Sequence, residues 1–308
     1  MRNAIVEALI KIAQKDKNIY CLTADLGYSV LEAFRARFPQ RFYNVGVAEQ
    51  NMIGVAAGLA LCSKTVFTYS IIPFTTFRCL EQIRNDVCAQ NLNVKIIGMG
   101  SGLHYGPAGS THHSLEDISI MRSLPGMTVI VPSTAEEAAQ AISACVKYQG
   151  PVYIRIGKSY PHCQYKRSVP FRIGKAILVN EGKDIALLFC GNMLTTALDV
   201  VTVLEKEGVS VRLVNVHTIK PIDEKTIIES ASMTSAIYTL EEHSIIGGLS
   251  SSVAEVLAQS GIKTILKPFA LQDAFVPQPG KRDYLLNNQC LSAKKIVQFI
   301  LNSLHRYE

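Results

Sequence analysis

A single carboxylate interrupts one of the least polar stretches of the chain. Glu49 is the only charged residue in "YNVGVAEQNMIGVAAGLAL", which covers 43–61. Burial disfavours the charged form of a carboxyl group, so a Glu buried beside a ligand is suited to share a proton with it. The alternative is a carboxylate at the start of a helix, where free backbone N–H groups stabilise its charge.

A pair of adjacent histidines lies in the segment "GPAGSTHHSLED", which covers 106–117. The glycines and the proline predict a loop, and Glu116 and Asp117 then fall in the first turn of a helix. Adjacent histidines point in different directions and rarely ligate one metal ion together. One of them could instead face a cleft and hydrogen-bond a hydroxyl group or move a proton. An exposed surface loop is the alternative.

Two phenylalanines, Phe74 and Phe77, begin a predicted helix at 74–90, after a predicted strand at 64–70. A flat ring at this point could stack on a planar ligand. Packing in the hydrophobic core is the alternative for both residues.

Short apolar runs alternate with helical patterns through the first half of the chain. Strands are predicted at 19–25, 42–47, 64–70, 93–100, 127–132 and 151–157, and helices at 1–18, 50–62, 74–90, 114–124 and 133–148. Such alternation indicates a mostly parallel sheet covered by helices on both faces. Ligands in these sheets bind at the carboxyl ends of the strands, which is where Glu49 is expected.

The pattern changes at 158–180, which is polar and contains prolines, and we interpret this segment as a linker. A second series follows, with strands at 184–191, 209–217 and 235–242 and helices at 193–208, 247–261 and 292–304. We therefore expect an α/β protein of two domains, 1–157 and 181–308, each with a mostly parallel sheet flanked by helices.

Composition excludes several classes of protein. With 48% hydrophobic residues the chain is too apolar to be disordered, and its net charge of +6 is scattered rather than gathered in a basic run, so no nucleic-acid partner is expected. The eight cysteines form no CxxC pair, which argues against zinc and suits a reducing compartment. No uninterrupted apolar stretch predicts a membrane span or a signal peptide. A cytoplasmic enzyme is the expectation.

Several segments together resemble the transketolase family. They are "LTADLG", "FYNVGVAEQNMIGVAAGLAL", "FTTFRCLEQIRND", "GSTHHSLEDISIMRSLPGMTVIVP" and "EEHSIIGGLSSSVAE". The likeness runs in register through essentially the whole chain, and it is to the C-terminal half-subunit of a split transketolase. A dinucleotide-binding protein is disfavoured, because no GxGxxG follows the first strand.

The resemblance implies a pyrimidine-binding domain followed by the family's C-terminal domain, with thiamine diphosphate as cofactor. Glu49 matches the glutamate that hydrogen-bonds the aminopyrimidine ring nitrogen and so promotes removal of the thiazolium proton. Phe74 matches the aromatic residue that stacks on the pyrimidine. We also assign Phe77 and Asp25 to the cofactor site.

The same resemblance implies residues for the sugar substrate. His112 matches the histidine that contacts the donor sugar near its reacting carbons, and with Glu49 it would be catalytic. Ser29 and Arg2 fall near positions that bind substrate phosphate. No role is assigned to Arg155.

One family segment is missing and another is altered. The GDG motif followed by an Asn, which binds the diphosphate and its Mg²⁺, is not found, and no metal ligand is assigned to this chain. The resemblance thus implies a separate N-terminal subunit that holds both groups, in an α2β2 heterotetramer.

Where transketolases read "GEDGPTHQP", this chain has "GPAGSTHHS", so that an acid is replaced by Ala108, and a histidine further upstream is replaced by Gly100. Such losses shift substrate specificity.

The function implied is transfer of a two-carbon ketol unit from a ketose to an aldose, active only with the partner subunit. Three alternatives remain at this point. The chain could be the β-type subunit of a 2-oxo acid decarboxylating enzyme, a relative of deoxyxylulose-phosphate synthase, or a non-catalytic regulatory homologue.

Overall fold

The computed structural model describes residues 1–157, 165 and 169–304. The first unit contains six strands: β1 (Ile19–Thr23), β2 (Phe42–Asn44), β3 (Thr65–Ile71), β4 (Val94–Met99), β5 (Thr128–Ile130) and β6 (Val152–Ile156). Its helices are α1 (Arg2–Ala13), α2 (Glu32–Arg37), α3 (Glu49–Leu61), α4 (Ile72–Thr75), α5 (Leu80–Gln82), α6 (Asp117–Ser123) and α7 (Ala135–Lys147).

The second unit has its own sheet and helices. Its strands are β7 (Ile177–Asn180), β8 (Ile185–Phe189), β9 (Val211–Asn215), β10 (Thr218–Lys220), β11 (Ala236–Ser244) and β12 (Ile265–Leu271). Its helices are α8 (Leu194–Lys206), α9 (Glu224–Met233), α10 (Leu249–Ser260), α11 (Arg282–Asn288) and α12 (Ala293–Leu304).

Both sheets are mostly parallel and lie between helices. The first has the order β10-β5-β6-β4-β3-β1-β2 and the second the order β12-β11-β8-β9-β7, with antiparallel pairing only at β10 and β7 among the described strands. Strands β3, β4 and β6 are buried along their whole length, as expected for apolar runs covered on both faces. The predicted α/β fold with two helix-flanked sheets is confirmed.

The boundary between the units differs from the prediction in two places. Strand β7 lies in the segment that we interpreted as a linker, and it pairs with β9 in the second sheet. Residues 158–164 and 166–168 of that segment lie outside the described residues. Strand β10 joins the first sheet, where Thr218 pairs with Ile130 of β5. Neither pairing is visible in local periodicity, because each depends on a partner distant in sequence.

The predicted helix at 74–90 is also broken. It begins earlier, as the short α4, and is interrupted by a turn at 76–79 before α5 and a π-helical turn at Ile83–Cys88. The Ile72 carbonyl accepts both the Thr76 hydroxyl at 2.6 Å and the Thr76 N–H at 2.9 Å, and such a bond from a side chain to the preceding turn often bends a helix. None of the helices in the described part of the chain has both the length and the apolar character that a membrane crossing requires.

Candidate functional site

Glu49 is a buried carboxylate at the junction of a strand and a helix. Strand β2 ends at Asn44 and α3 begins with Glu49, whose side chain is 1% exposed. Arg78 Nη1 donates to Glu49 Oε2 at 2.6 Å, and the Arg78 side chain is 45% exposed. Burial and helix start therefore coincide at Glu49, and a charged partner reaches it from the solvent side.

A cluster of flat groups extends from this ion pair. The Arg78 guanidinium carbon lies 4.6 Å from the centroid of the Phe74 ring. The Phe74 ring in turn contacts His112 edge-on, with centroids 5.2 Å apart and planes at 72°. The Tyr105 ring also lies near His112, with centroids 5.8 Å apart. The structure thus joins Glu49 to Phe74 through Arg78, and Phe74 to His112, in one series of contacts.

The topology explains why these residues meet. They follow β2, β3 and β4, which run parallel within one sheet, so their carboxyl ends share one edge. Ligand sites of open α/β sheets lie at this edge. Gly100, just after β4, has φ +91°, and a Cβ there would lie 2.2 Å from the Tyr105 ring. Tyr105 therefore fills the space that a side chain at residue 100 would need.

The two histidines point apart, as the sequence predicts. His112 is half-buried, and its Nδ1 lies 3.0 Å from the Thr111 hydroxyl. His113 is buried, with its Nε2 3.4 Å from the Gly106 carbonyl oxygen, and burial lowers its pKa. Only His112 borders the cluster of flat groups. Within the described residues, no group of three or more His, Cys, Asp or Glu side chains could hold a metal ion.

The loop after β1 carries Asp25 and Ser29 at the same edge of the sheet. Asp25 Oδ1 accepts hydrogen bonds from the Tyr28 hydroxyl at 2.7 Å and from Asn44 Nδ2 at 3.2 Å. These bonds, led by that from Tyr28, lower the pKa of Asp25. Asn44 Oδ1 also accepts from Gly46 N at 3.1 Å, which connects this loop to the start of α3. Ser29 is exposed, and its backbone N–H donates to Glu32 Oε1 at 2.7 Å.

Arg2 and Phe77 lie at the margins of the cluster. Burial raises the pKa of Tyr105, and the nearby charge of Arg2 opposes that shift, so Arg2 lies within electrostatic range of Tyr105. Phe77 is half-buried in the turn between α4 and α5. In the described part of the chain, its ring takes no part in the contacts that join Phe74, His112 and Tyr105.

Arg155 is a structural residue rather than a surface cation. It is buried in β6, where its Nε donates to Asp117 Oδ2 at 2.8 Å and its Nη2 donates to the carbonyl oxygens of Ser114 and Glu242. The Tyr153 hydroxyl donates to the same Asp117 oxygen at 2.6 Å. Burial opposes the charge of Asp117, but Arg155 and these hydrogen bonds keep its pKa below the ordinary value.

Sequence reasoning missed Arg78 and Tyr105. Arg78 stands in the segment "FTTFRCLEQIRND", but its ion pair with Glu49 spans 29 positions and depends on the turn at 76–79. Tyr105 could have been noticed as the one large aromatic residue between β4 and His112.

Comparison with known proteins agrees with this architecture. Residues 1–161 match the family described as "Transketolase, pyrimidine binding domain", and residues 174–296 match "Transketolase, C-terminal domain". The 6-deoxy-6-sulfo-D-fructose transketolase subunit of Clostridium sp. is 40% identical over 97% of this chain and 92% of its own length. An apulose-4-phosphate transketolase subunit of Actinobacillus succinogenes is 35% identical over 98% of this chain and 97% of its own length.

A solved structure described as a split-gene transketolase, an inactive β4 tetramer, superposes with a TM-score of 0.89. It is 36% identical in sequence, and the match covers 99% of this chain and 97% of that one. Both halves of the chain, its relatives and its fold lead to one family: the chain belongs to the transketolases, of which it carries the pyrimidine-binding and C-terminal domains.

Proposed function

We propose that this chain is the C-terminal subunit of a thiamine diphosphate-dependent transketolase, which transfers a two-carbon ketol unit from a ketose to an aldose. The observation that carries the proposal is the buried Glu49 carboxylate beside the Phe74 ring, at the ligand-binding edge of a parallel sheet. The two similar chains named as transketolase subunits support the same reaction class.

The residues present fit the pyrimidine end of the cofactor. A flat, cationic guanidinium already stacks on Phe74 and donates to Glu49. An aminopyrimidine is flat as well, and it presents a nitrogen-bound proton when its ring is protonated. Phe74 and Glu49 can hold it through the same two contacts once Arg78 has moved aside. Glu49 then keeps a proton at the ring nitrogen.

The remaining chemistry is divided between the cofactor and this chain. Thiamine diphosphate, when bound, supplies the nucleophilic carbon and the electron sink that let a ketose break beside its carbonyl group. His112, half-exposed between Phe74 and Tyr105, binds a donor hydroxyl and moves its proton. The Thr111 hydroxyl orients the His112 ring. We propose that Asp25 and Phe77 complete the cofactor site.

The substrate we propose is a ketose with a terminal anionic group. The names of two relatives specify a sulfonated and a phosphorylated ketose respectively. The charge of Arg2 acts on Tyr105, a neighbour of His112, and Arg2 together with Ser29 would bind the anion. Ala108 stands where the resemblance implies an acid and Gly100 where it implies a histidine, and the Tyr105 ring fills the space beside Gly100. These replacements support a donor or an acceptor other than the common pentose phosphates.

A partner subunit would supply the diphosphate and Mg²⁺ sites, in the α2β2 arrangement. Helix α3 supports a protein contact, because it has no charged residue after Glu49 and exposes Gly54, Gly58 and Leu61 on one face. Val47, just before α3, and Leu61, at its end, are 75% and 61% exposed. The described cysteines are free thiols, which supports a cytoplasmic site of action.

The test is reconstitution with the N-terminal, diphosphate-binding subunit from the same source. We expect this chain alone to be inactive and the pair to transfer ketol units from a ketose only when thiamine diphosphate and Mg²⁺ are added. Glu49→Gln should abolish turnover in the pair, whereas Glu81→Gln, an exposed carboxylate on α5, should not. Turnover of ketoses by the chain alone, or an active Glu49→Gln pair, would contradict the proposal.

A further inference from the structure

The loop that carries His112 is closed at its neck. Gly102 and Ser114 form an antiparallel bridge, with N–H to carbonyl distances of 3.1 and 3.0 Å in the two directions. His112 lies two residues before the end of this neck. Any group that fixes the neck therefore also fixes the position from which His112 reaches the site.

A carboxylate from the second unit packs against that neck. Glu242, near the end of β11, is 1% exposed, and its Oε1 accepts the Leu103 N–H at 2.8 Å. Gly102 has φ +62°, and a Cβ there would lie 2.5 Å from the Glu242 carboxyl carbon. Only a glycine at residue 102 lets the carboxyl group come this close.

Two more residues of the second unit hold Glu242 and the loop together. Arg282, which begins α11, donates from Nη2 to Glu242 Oε2 at 2.7 Å and from Nε to Oε1 at 3.0 Å. Asn192 Nδ2 lies 2.7 Å from the Ser101 hydroxyl, 2.9 Å from His104 Nδ1 and 3.2 Å from Glu242 Oε2. Although burial would raise it, the pKa of Glu242 is lowered to about 2, chiefly by the charge of Arg282.

Further contacts from the second unit reach the middle of the loop. The Gly280 N–H points to the Gly106 carbonyl at 3.4 Å, and a Cβ on Gly106 would lie 2.1 Å from the Gly280 oxygen. The second unit contributes none of Glu49, Phe74, Arg78 and His112. Its contacts with this loop nevertheless run from Ser101 to Gly106, on the strand side of His112.

We propose that Glu242, clamped by Arg282 and Asn192, is a positioning residue that holds the 101–114 loop so that His112 faces the donor sugar. The second unit then acts on the reaction without touching substrate. The effect on reaction kinetics rests on the function proposed above, whereas the effect on the 101–114 loop rests only on the contacts of Glu242, Arg282 and Asn192.

The decisive experiment is hydrogen exchange of the full-length chain carrying Glu242→Gln. The amide keeps the shape of the side chain but removes the negative charge that forms the ion pair with Arg282. We expect amide exchange across 103–113 to accelerate about tenfold or more, because the loop opens locally. The matched control is Glu241→Gln: Glu241 is also buried, but it accepts the Leu249 and Ser250 N–H groups at the start of α10. Exchange of the loop in that control should stay at the wild-type rate.

In the reconstituted pair, Glu242→Gln should raise the KM for the ketose about tenfold, while thiamine diphosphate affinity changes less than twofold. Loop exchange no faster than in Glu241→Gln, or faster exchange spread evenly over the second unit, would overturn the positioning role. If Glu242→Gln does not fold, Arg282→Lys is the second variant. Lysine keeps the positive charge but cannot donate to both carboxyl oxygens of Glu242 as the guanidinium does, so amide exchange in the same loop should accelerate. A wild-type pair with no ketol transfer would refute the proposed function, whereas the exchange result would still decide the role of Glu242.

Discussion

Glu49 and Arg78 are 29 residues apart, yet they form the most informative contact of the site. A carboxylate buried this deeply needs a partner, because an unpaired buried charge is costly. In the chain by itself the partner is Arg78, which also covers the Phe74 ring. Arg78 makes the two contacts that we propose for the pyrimidine, so the proposed cofactor would have to displace it.

This exchange of partners can be tested on the isolated chain. Arg78→Gln should lower the free energy of unfolding at pH 7 by about 1–3 kcal/mol, because Glu49 is left buried without its cation. Urea unfolding would measure the loss, and Arg37→Gln, at an exposed arginine of α2, should change stability by less than about 0.5 kcal/mol. A double-mutant cycle with Glu49→Gln should give a coupling energy of about 0.5–3 kcal/mol. Zero coupling would mean that the pair does not form in solution.

His112 gives the second residue-scale prediction. His112→Ala in the reconstituted pair should lower kcat/KM for the ketose donor by about 100-fold, the usual loss for a group that moves a proton. Thiamine diphosphate affinity, measured by calorimetry, should change little, because Phe74 and Glu49 remain. Thr111→Val, which removes only the hydroxyl beside Nδ1, should have a smaller effect. A large loss of cofactor affinity in His112→Ala would reassign the residue to the cofactor.

At the scale of elements, local patterns predict the strands and helices well, but not their exceptions. Apolar runs and helical periods identify β1, β3 and β4. Because these strands are parallel, the residues that follow them lie together at the carboxyl ends of the strands. Glu49, Phe74 and His112 could be grouped from the sequence for this reason, with the family resemblance to name them. The turn at 76–79 could not be predicted, because the residues of 74–90 follow one helical pattern and the break is visible only in the hydrogen bonds of the folded chain.

Helix α7 offers a test of element stability. Its N-cap is Thr134, whose hydroxyl accepts the Glu137 N–H at 3.0 Å. Thr134→Ala should cost about 1 kcal/mol of unfolding free energy, the typical value of an N-cap. The control is Thr202→Ala on the exposed face of α8, where the hydroxyl only bonds back to the Leu198 carbonyl, and it should be close to neutral. Equal losses in both variants would argue against the cap.

At the scale of the whole molecule, the contact between the two units contains an acid that titrates near neutrality. Glu137 of α7 accepts hydrogen bonds from Ser133 N at 2.7 Å and from Asn215 Nδ2 of β9 at 2.9 Å, and the Tyr165 hydroxyl donates to it as well. Burial raises the pKa of Glu137 to about 7, from its ordinary value of 4.5. Between those values the folded chain binds a proton that the unfolded chain does not, so this contribution to stability falls as the pH rises.

In Glu137→Gln, residue 137 does not titrate. The free energy of unfolding of this variant, minus that of the wild type, should therefore rise by about 2 kcal/mol between pH 5 and pH 8. The difference between the two proteins is the quantity to measure, by urea unfolding at several pH values. The wild-type curve alone is less informative, because burial lowers the pKa of His217 and His243 to about 4 and makes stability rise with pH below about 6.5. Parallel curves for wild type and variant would contradict the raised pKa.

Strand β10 has a consequence for how such a chain could be divided or recombined. Strand β10 lies within residues 174–296, which match the transketolase C-terminal domain. Its three residues nevertheless form the outer strand of the first sheet and cover β5. A fragment cut at residue 157 would expose the backbone groups of β5 as a bare edge, open to aggregation with another copy. The two regions are therefore not interchangeable modules. A chimera with a foreign C-terminal region must bring a matching strand, or its first sheet is left incomplete.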